Sequence, residues 1–197
     1  MARFIFTVFF LIAILTDLGC QNDSGKAPPA SSHVIGDVKL YTFSADQEYL
    51  LSNAQPFKLP PTTLLKDALD RLGIHMAQNY FSKTYTHKKT DIHFEILAIH
   101  QIPTPSRLLR IAVINMVDKE QDAMGYFFQG SAGARTTFFM LTATFMQPHL
   151  NPPLLDGLVF LYNGEILQEL DHINLTGMLT PRLVRSHTYR AIQSSGK

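Results

Sequence analysis

Cysteine and charged residues are scarce in this sequence, and both shortages limit what the protein can be. Cys20 is the only cysteine, so no disulfide can form within the chain. Charged residues make up 17% of the chain and the net charge is +1 with histidine neutral, so there is no basic stripe of the kind that binds nucleic acid. We expect a domain without cross-links that has no nucleic-acid partner.

Catalytic sequence motifs are also missing. The chain has no HExxH zinc motif, no P-loop, no G-x-G-x-x-G fingerprint and no G-x-S-x-G nucleophile turn. No pair of acidic residues stands in a recognisable acid–base motif either. The sequence therefore predicts a protein that is not an enzyme and that carries no cofactor.

Residues 1–19 are typical of a bacterial secretory signal peptide. A positively charged start precedes the apolar run Phe4–Leu15, which is shorter than the about 20 apolar residues of a membrane-spanning helix. The end of the segment, Gly19-Cys20, resembles the lipobox of bacterial lipoproteins, with Asp17 where that pattern has an aliphatic residue. The resemblance implies lipidation of Cys20 and an extracytoplasmic protein anchored to the cell membrane or the outer membrane. Ordinary secretion and an uncleaved anchor are the alternatives.

The rest of the chain divides into a tether, a domain and a tail. Residues 20–36 combine the anchor cysteine with a polar, proline-containing stretch that is too poor in apolar residues to fold, which predicts a flexible tether. Residues 37–185 are the expected domain, and residues 186–197 are the expected flexible tail. A domain of roughly 150 residues buries enough surface to be stable without disulfides.

Alternating apolar and polar residues predict a sheet of locally paired strands. The candidate strands Asp91–Ile102 and Arg107–Val117 flank a proline-containing turn and would pair antiparallel. The dipeptide Asn163-Gly164 follows the apolar run Leu158–Tyr162 and predicts a type I′ hairpin. The polar segment Lys83–Thr90 is predicted to be a loop.

Two helices are predicted from apolar residues at helical spacing. The first begins at Thr62 or Thr63, acting as a side-chain N-cap, and is ended or weakened at Gly73. The second runs from Ser131 to Gln147 and is apolar almost all round, which predicts burial on most sides. The segment Asp118–Asp122 between strand and helix is predicted to be a charged loop. Few helices and local strand pairing favour an α+β fold, with an antiparallel sheet packed against two main helices.

A group of histidine and acidic residues is the main candidate for chemistry. His93 and Glu95 share one face of the predicted strand Asp91–Ile102. The apolar residues of its other face are Ile92, Phe94, Ile96 and Ala98. With His87 and Asp91 nearby in the sequence, His93 and Glu95 offer the histidine and carboxylate ligands of zinc or iron sites. The alternative is a set of solvent-facing polar residues on an amphipathic strand and its entry loop, with no metal.

A glycine-rich turn precedes the second predicted helix. Free backbone N–H groups at a helix N-terminus can hold an anion, so Gly130, Ser131 and Gly133 are candidate contacts for an anion or a partner. The alternative is a turn in which glycine permits the entry of the chain and close packing of the helix.

Several segments resemble the GerMN domain of bacterial sporulation and spore-germination lipoproteins. The segments that carry the resemblance are Val38–Tyr41, Leu64–Leu72, Gly130–Arg135, Leu141–Phe145, Asp156–Glu165 and His172–Thr176. Asn163 and Asn174 stand where the family has acidic residues. The resemblance implies a compact α+β fold like the ring-building motifs of secretion and sporulation assemblies. It also implies a non-catalytic role in the envelope, the cell wall or sporulation.

These patterns support three functions of different classes. The first is a lipid-anchored, non-catalytic scaffold that binds other envelope proteins or peptidoglycan and that can form homo-oligomers. The second is a metal-dependent envelope hydrolase that uses His93 and Glu95. The third is a periplasmic binder of a small ligand in a cleft near Gly130. We favour the first, because the anchor, the tether, the family pattern and the lack of catalytic motifs all agree with it.

Overall fold

Nine strands and three helices form the parts of the chain that the structure describes. The structure is a computed structural model, and it describes residues 37–42, 55–85, 88–121, 123–167 and 174–182. The strands are β1 Lys39–Leu40, β2 Gln55–Pro56, β3 Ser82–Tyr85, β4 Lys88–Asp91, β5 His93–Pro103, β6 Leu108–Val117, β7 Gly157–Tyr162, β8 Glu165–Ile166 and β9 Met178–Leu179. The helices are α1 Leu65–Asn79, α2 Ala123–Phe127 and α3 Ser131–Met146.

A mixed five-stranded sheet is the frame of the domain. Its order is β5-β6-β7, with β8 and β9 both paired to β7. β5 and β6 pair antiparallel along their length, as the sequence predicts. β6 and β7 run parallel, from the pair Ile111 and Gly157 to the pair Met116 and Tyr162. The combination of these helices with this sheet confirms the predicted α+β class.

The parallel pairing of β6 with β7 departs from the expectation of local hairpins. The chain between the two strands contains both α2 and α3, which gives it the length to return to the starting edge of the sheet. Parallel neighbours need a crossover of this kind, whereas a tight turn joins only antiparallel strands. Turn signals in the sequence carry no information about such a pairing. The strands β6 and β7 could therefore be predicted, but their parallel pairing could not.

Both long helices pack on the same face of the sheet. Gly73 of α1 lies against Phe94 of β5, and the ring of Phe145 in α3 lies 5.7 Å from the ring of Phe94. Phe81, just after α1, meets Phe94 edge-on at 5.1 Å. Phe145 also approaches Phe160 of β7, at 6.4 Å between ring centroids. The core therefore sits between this face and the two helices.

Helix α1 continues through Gly73 and ends at Asn79, so the predicted end at Gly73 is wrong. A Cβ at Gly73 would lie 3.1 Å from Phe94 Cβ, so the glycine serves close packing against β5. The predicted threonine cap is also wrong. Leu64 is the N-cap and makes no side-chain cap hydrogen bond. Thr63 Oγ1 instead donates to the Pro60 carbonyl at 2.6 Å and closes the turn before the helix.

A β-bulge in β5 changes which residues share a face. The register with β6 skips from Ile96 opposite Ile114 to Ala98 opposite Val113, so Leu97 is the extra residue. Ile92, Phe94 and Ile96, which precede the bulge, are buried on the helix-covered face as predicted. Ala98 was predicted to join them and lies on the other face, because an extra residue shifts the alternation by one.

Besides the five-residue helix α2, a hairpin and a short strand escaped prediction. β3 and β4 form an antiparallel hairpin across the segment that was predicted to be a polar loop. β9 pairs with β7 through Leu179 opposite Leu158 and Met178 opposite Val159, in an irregular stretch of the sequence. Both elements are too short for hydrophobic periodicity to identify.

Helix α3 is buried on almost every side, as predicted. Its one charged residue, Arg135, lies 5.7 Å above the Phe139 ring. The helix ends at Met146, and its C-cap, Gln147, has a left-handed φ of 49°. The Gln147 side-chain amide accepts from the Lys39 N–H at 2.8 Å and donates to the Lys39 carbonyl at 2.7 Å. The end of α3 is therefore a hydrogen-bonding partner of β1. No helix in the described parts of the chain is long and apolar enough to cross a membrane.

Candidate functional site

The face of the five-stranded sheet that points away from α1 and α3 is largely apolar, and we call it the open sheet face. Its half-buried residues include Ile111, Val113, Val159 and Leu161. Its exposed apolar residues are Ile102 (44% exposed), Ile166 (74%) and Met178 (55%), and the exposed polar residues His93, Glu95 and His100 lie on the same face. Exposed apolar side chains that are grouped on one surface are typical of an interaction site.

Gly157 shapes the open sheet face where β9 joins it. A Cβ at Gly157 would lie 2.8 Å from Met178 Sδ and 3.1 Å from Ile111 Cγ1. The missing side chain therefore lets Met178 reach across β7 toward Ile111. Because a thioether side chain is flexible and polarizable, Met178 adds an adaptable contact to this face.

The predicted metal ligands lie at one end of β5 but do not converge. His93 Nε2 lies 3.2 Å from Asp91 Oδ2, whereas Glu95 Oε2 accepts a hydrogen bond from Asn115 Nδ2 at 3.1 Å. His87 lies outside the described residues. Across the described ranges, no group of three or more His, Cys, Asp or Glu side chains is arranged to hold a metal. The structure thus brings Asp91 and His93 together and gives Glu95 a different partner.

A buried carboxylate stands at the start of the segment predicted to be a charged loop. Asp118 is only 1% exposed. Its Oδ2 accepts from the N–H groups of Ala123 and Met124 at 2.8 and 3.3 Å, and from the Tyr162 hydroxyl at 2.7 Å. Its Oδ1 has no partner within the described part of the chain. Asp118 therefore binds the first two N–H groups of α2 and ties the start of this helix to the end of β7.

Two asparagines hold the hairpin turn after β7 against the end of β6. The Asn163 side chain accepts from the Asp118 N–H at 2.8 Å and donates to the Asp118 carbonyl at 3.0 Å. A carboxylate at position 163 could not make the second bond, because it has no proton to donate. Asn115 Oδ1 accepts from the Gly164 N–H at 2.8 Å. Asn163 and Gly164 have φ values of 49° and 86°, as the predicted type I′ turn requires.

The glycine turn before α3 is exposed at both of its described glycines. Gly130 is the N-cap of the helix, with a φ of 69° and no side-chain cap. This φ explains the glycine, because other residues rarely adopt it. A Cβ at Gly133 would meet nothing within 4 Å, so close packing does not require glycine there. The contact with an anion or a partner at Gly130, Ser131 and Gly133 stays a prediction.

A buried tyrosine and a histidine hold β1 against the end of α3. His149 Nε2 lies 2.8 Å from the Asp37 carbonyl, and His149 Nδ1 lies 2.8 Å from the Tyr41 hydroxyl. Because a carbonyl only accepts, Nε2 carries the proton and Nδ1 accepts from the hydroxyl. Burial raises the pKa of Tyr41 to about 12 and lowers the pKa of His149. Both shifts favour the neutral forms that make this hydrogen bond.

Two arginines lie at the opposite end of β6 and share one carboxylate. Arg110 donates its backbone N–H to Asp156 Oδ2 at 2.9 Å and its guanidinium to the Pro153 carbonyl at 2.6 Å. Arg107 forms an ion pair with the same Asp156 carboxylate. Burial lowers the pKa of Arg110, and the charge of Asp156 counteracts that effect. These contacts fix the turn before β7, so the arginines have a structural use.

No protein-family model matches this chain. No curated protein and no solved structure is significantly similar to it. The resemblance to the GerMN domain therefore rests on the sequence patterns alone. The predicted lipidation site, Cys20, lies outside the described residues.

The open sheet face and Asp118 are the features that sequence reasoning missed. A signal for the first was present in β6, where Leu109, Ile111 and Val113 alternate with buried Ala112, Ile114 and Met116. A strand that is apolar on both faces is typical of a sheet that is covered on both sides. The signal for Asp118 was its position directly after a buried strand and before a short apolar segment.

Proposed function

We propose that this protein is a non-catalytic, lipid-anchored binding module of the bacterial envelope, similar to GerMN proteins, and that its open sheet face contacts another envelope protein. The observation that carries the proposal is the apolar character of both faces of β6. The two long helices cover one face, and Ile111 and Val113 lie on the other. A partner on the open sheet face would bury these side chains in the way that the sequence of the strand favours.

The chemistry of the open sheet face favours a protein partner over the other envelope components. Among the described strand residues of this face there is no Phe, Tyr or Trp side chain on which a sugar of peptidoglycan could stack, and the only aromatic rings are the small imidazoles of His93 and His100. There is also no lysine or arginine to attract anionic lipid headgroups, and Glu95 supplies the one formal charge. Apolar side chains with a polar margin are what the centre of a protein–protein interface offers.

The N-terminal segment supports the placement in the envelope. Residues 1–19 have the pattern of a secretory signal, and Cys20 follows it as in a lipobox. The residues between the cysteine and Asp37 have the polar, proline-containing composition of a tether between an anchor and a domain. A lipid at Cys20 would hold the domain at a membrane surface, where the open sheet face can meet membrane-associated partners.

Crosslinking in intact cells of the native host tests this proposal. Ile166→Lys and Met178→Lys each place a charge on the open sheet face at residues that are 74% and 55% exposed, so we expect the fold to tolerate them. Because a buried unpaired charge is costly, we expect each to remove the crosslinked species that the wild-type protein forms with another envelope protein. Ile74→Lys, at a 56% exposed residue of α1, is the matched control and should keep it.

A fourth variant separates anchoring from binding. Cys20→Ser should abolish incorporation of labelled palmitate and release the protein from the membrane, while the open sheet face stays intact. Retention of the crosslinked species by both face variants would contradict the proposed binding surface. Recovery of the wild-type protein from the cytosol with residues 1–19 still attached would contradict the proposed location.

A further inference from the structure

β5 is a long edge strand with an unused outer edge. It has 11 residues, and of the strands that the structure describes only β6 pairs with it. In the described ranges no other segment forms backbone hydrogen bonds with β5 along its outer edge. An edge of this length presents a row of N–H and C=O groups on which another strand can pair.

The residues of β5 provide little protection against such pairing. Natural edge strands are commonly guarded by lysine, by inward-pointing charges, by proline, by bulges or by very short length, and of these β5 has only the bulge at Leu97 and a proline at its last position, Pro103. Apart from two histidines, Glu95 is the only residue of β5 with an ionisable side chain, and the strand contains no lysine. Leu97 and Ile102 are 52% and 44% exposed, so the strand also offers apolar contacts beside its edge.

We propose that β5 pairs antiparallel with β5 of a second copy of this chain across a two-fold axis. The two five-stranded sheets would then form one continuous sheet through this edge. A two-fold axis makes the pairing isologous, so each contact between a residue and its counterpart occurs twice.

The bulge at Leu97 selects the register. Because it shifts the alternation by one, Glu95 lies on the same face as His100, although the two residues are five positions apart. Pairing Glu95 with His100 of the second copy therefore keeps each face of the sheet continuous on both sides of the axis. In the same register His93 lies opposite Ile102, and Leu97 lies opposite Ala98 next to the axis.

This register makes β5 complementary to itself. An imidazole directly opposite a carboxylate on the same face is a favourable cross-strand pair, and symmetry supplies two such pairs. His100 is exposed and makes no hydrogen bond or ion pair with another described residue, so its imidazole is free to meet Glu95 of the second copy. The Leu97 side chains of the two copies come together at the centre, where they exclude water from the new backbone hydrogen bonds.

The pairing can be tested separately from binding at the open sheet face. It uses the outer edge of β5, whereas Ile166 and Met178 lie on the far side of β7. Pairing two copies through β5 would place two open sheet faces side by side on one surface. A partner with repeated sites would then bind with the added strength of two linked contacts.

Sedimentation velocity of the purified full-length protein in mild detergent tests the pairing. We expect a dimer, and we expect Leu97→Lys to weaken it by raising Kd about tenfold or more, because this variant brings two like charges together at the axis. Ile166→Lys adds the same charge at the opposite edge of the sheet and should leave the dimer unchanged. Circular dichroism of each variant confirms that the monomer is folded.

A charge exchange tests the register itself. Glu95→Lys and His100→Glu should each weaken the dimer, and the double variant should restore it, because the opposite charges then face each other again. A wild-type protein that stays monomeric up to about 100 μM, or a Leu97→Lys dimer as tight as the wild type, would overturn the pairing. Equal weakening by Ile166→Lys would overturn it too, since the contact would then lie on the open sheet face. None of these outcomes changes the crosslinking expected of the face variants.

Discussion

At the scale of single residues, Asp118 shows how one buried carboxylate organises the junction of β6, α2 and β7. Its Oδ2 receives two backbone N–H groups and the Tyr162 hydroxyl. Hydrogen bonds to a charged acceptor are stronger than bonds between neutral groups. Removing this carboxylate should lower the free energy of unfolding, because the buried donors that it binds would lose their hydrogen-bond acceptor.

We predict that Asp118→Ala lowers the free energy of unfolding by about 2–4 kcal/mol, since it leaves three donors without their shared acceptor. Urea denaturation followed by circular dichroism measures the change. The matched control is Glu120→Ala, which removes an exposed carboxylate two positions later and should change the stability by less than about 0.5 kcal/mol. Equal small effects of the two substitutions would show that Asp118 behaves as an ordinary surface residue.

Residue-level prediction from the sequence succeeded where the backbone itself sets the requirement. Asn163-Gly164 marked a turn because positive φ values favour these residue types. The same reasoning could not show that the Asn163 side chain pairs with the backbone of Asp118, a residue 45 positions earlier. Nor could it show that Glu95 turns to Asn115, because that contact depends on the register of β5 and β6. Proximity in sequence had suggested a shared metal site for His93 and Glu95 instead.

At the scale of elements, the two helical glycines in α1 and α3 have opposite surroundings. Gly73 lies against Phe94, and an added Cβ would come within 3.1 Å of Phe94 Cβ and 3.5 Å of its carbonyl oxygen. These atoms belong to the backbone of β5 or lie next to it, so they cannot swing away. Gly133 lies in the first turn of α3 and faces open space.

We predict that alanine has opposite effects at these two positions. Gly133→Ala should stabilise the protein by about 0.5–1 kcal/mol, because alanine restricts the unfolded chain and favours helix. Gly73→Ala gains the same propensity but must push α1 away from β5, and the overpacking should leave a net loss of about 1–2 kcal/mol. Thermal or urea unfolding of both variants measures the difference. A stabilised Gly73→Ala variant would mean that α1 can shift without cost.

The elements also show what periodicity can and cannot predict. β5, β6 and α3 were predicted because each has a long, regular apolar pattern that local sequence fully contains. The bulge at Leu97 was missed, since one extra residue leaves no mark on composition. The parallel pairing of β6 and β7 was missed as well, because it depends on how α2 and α3 carry the chain over the sheet.

At the scale of the whole molecule, β1 is attached to α3 by contacts that span more than half of the chain. Gln147 bonds both backbone groups of Lys39, and Thr144 Oγ1 accepts from the Tyr41 N–H at 3.1 Å. The Tyr41 hydroxyl and His149 complete this attachment. Contacts so distant in sequence form only in the folded chain, so a titrating group among them links global stability to pH.

The direction of this linkage follows from the two pKa shifts. Burial lowers the pKa of His149 below its ordinary value of 6.5, so the unfolded chain binds the proton more tightly than the folded chain does. The contribution of neutral His149 is therefore complete above pH 6.5 and is lost as the pH falls through the lower folded-state value. Burial raises the pKa of Tyr41 from 10.0 to about 12, so its contribution is complete below pH 10 and is lost as the pH rises toward 12.

We predict that His149→Asn flattens the acid side of the stability profile. Asparagine can accept the hydrogen bond from the Tyr41 hydroxyl but does not titrate, so the variant should lose less stability than the wild type between pH 7 and pH 5. Urea unfolding at half-unit steps of pH gives the two profiles, and subtracting one from the other removes the titration of every group that they share. Asn79→Ala, at an exposed residue of α1, provides a control whose profile should run parallel to that of the wild type. Parallel profiles for the wild type and His149→Asn would show that protonation of His149 does not oppose the attachment of β1.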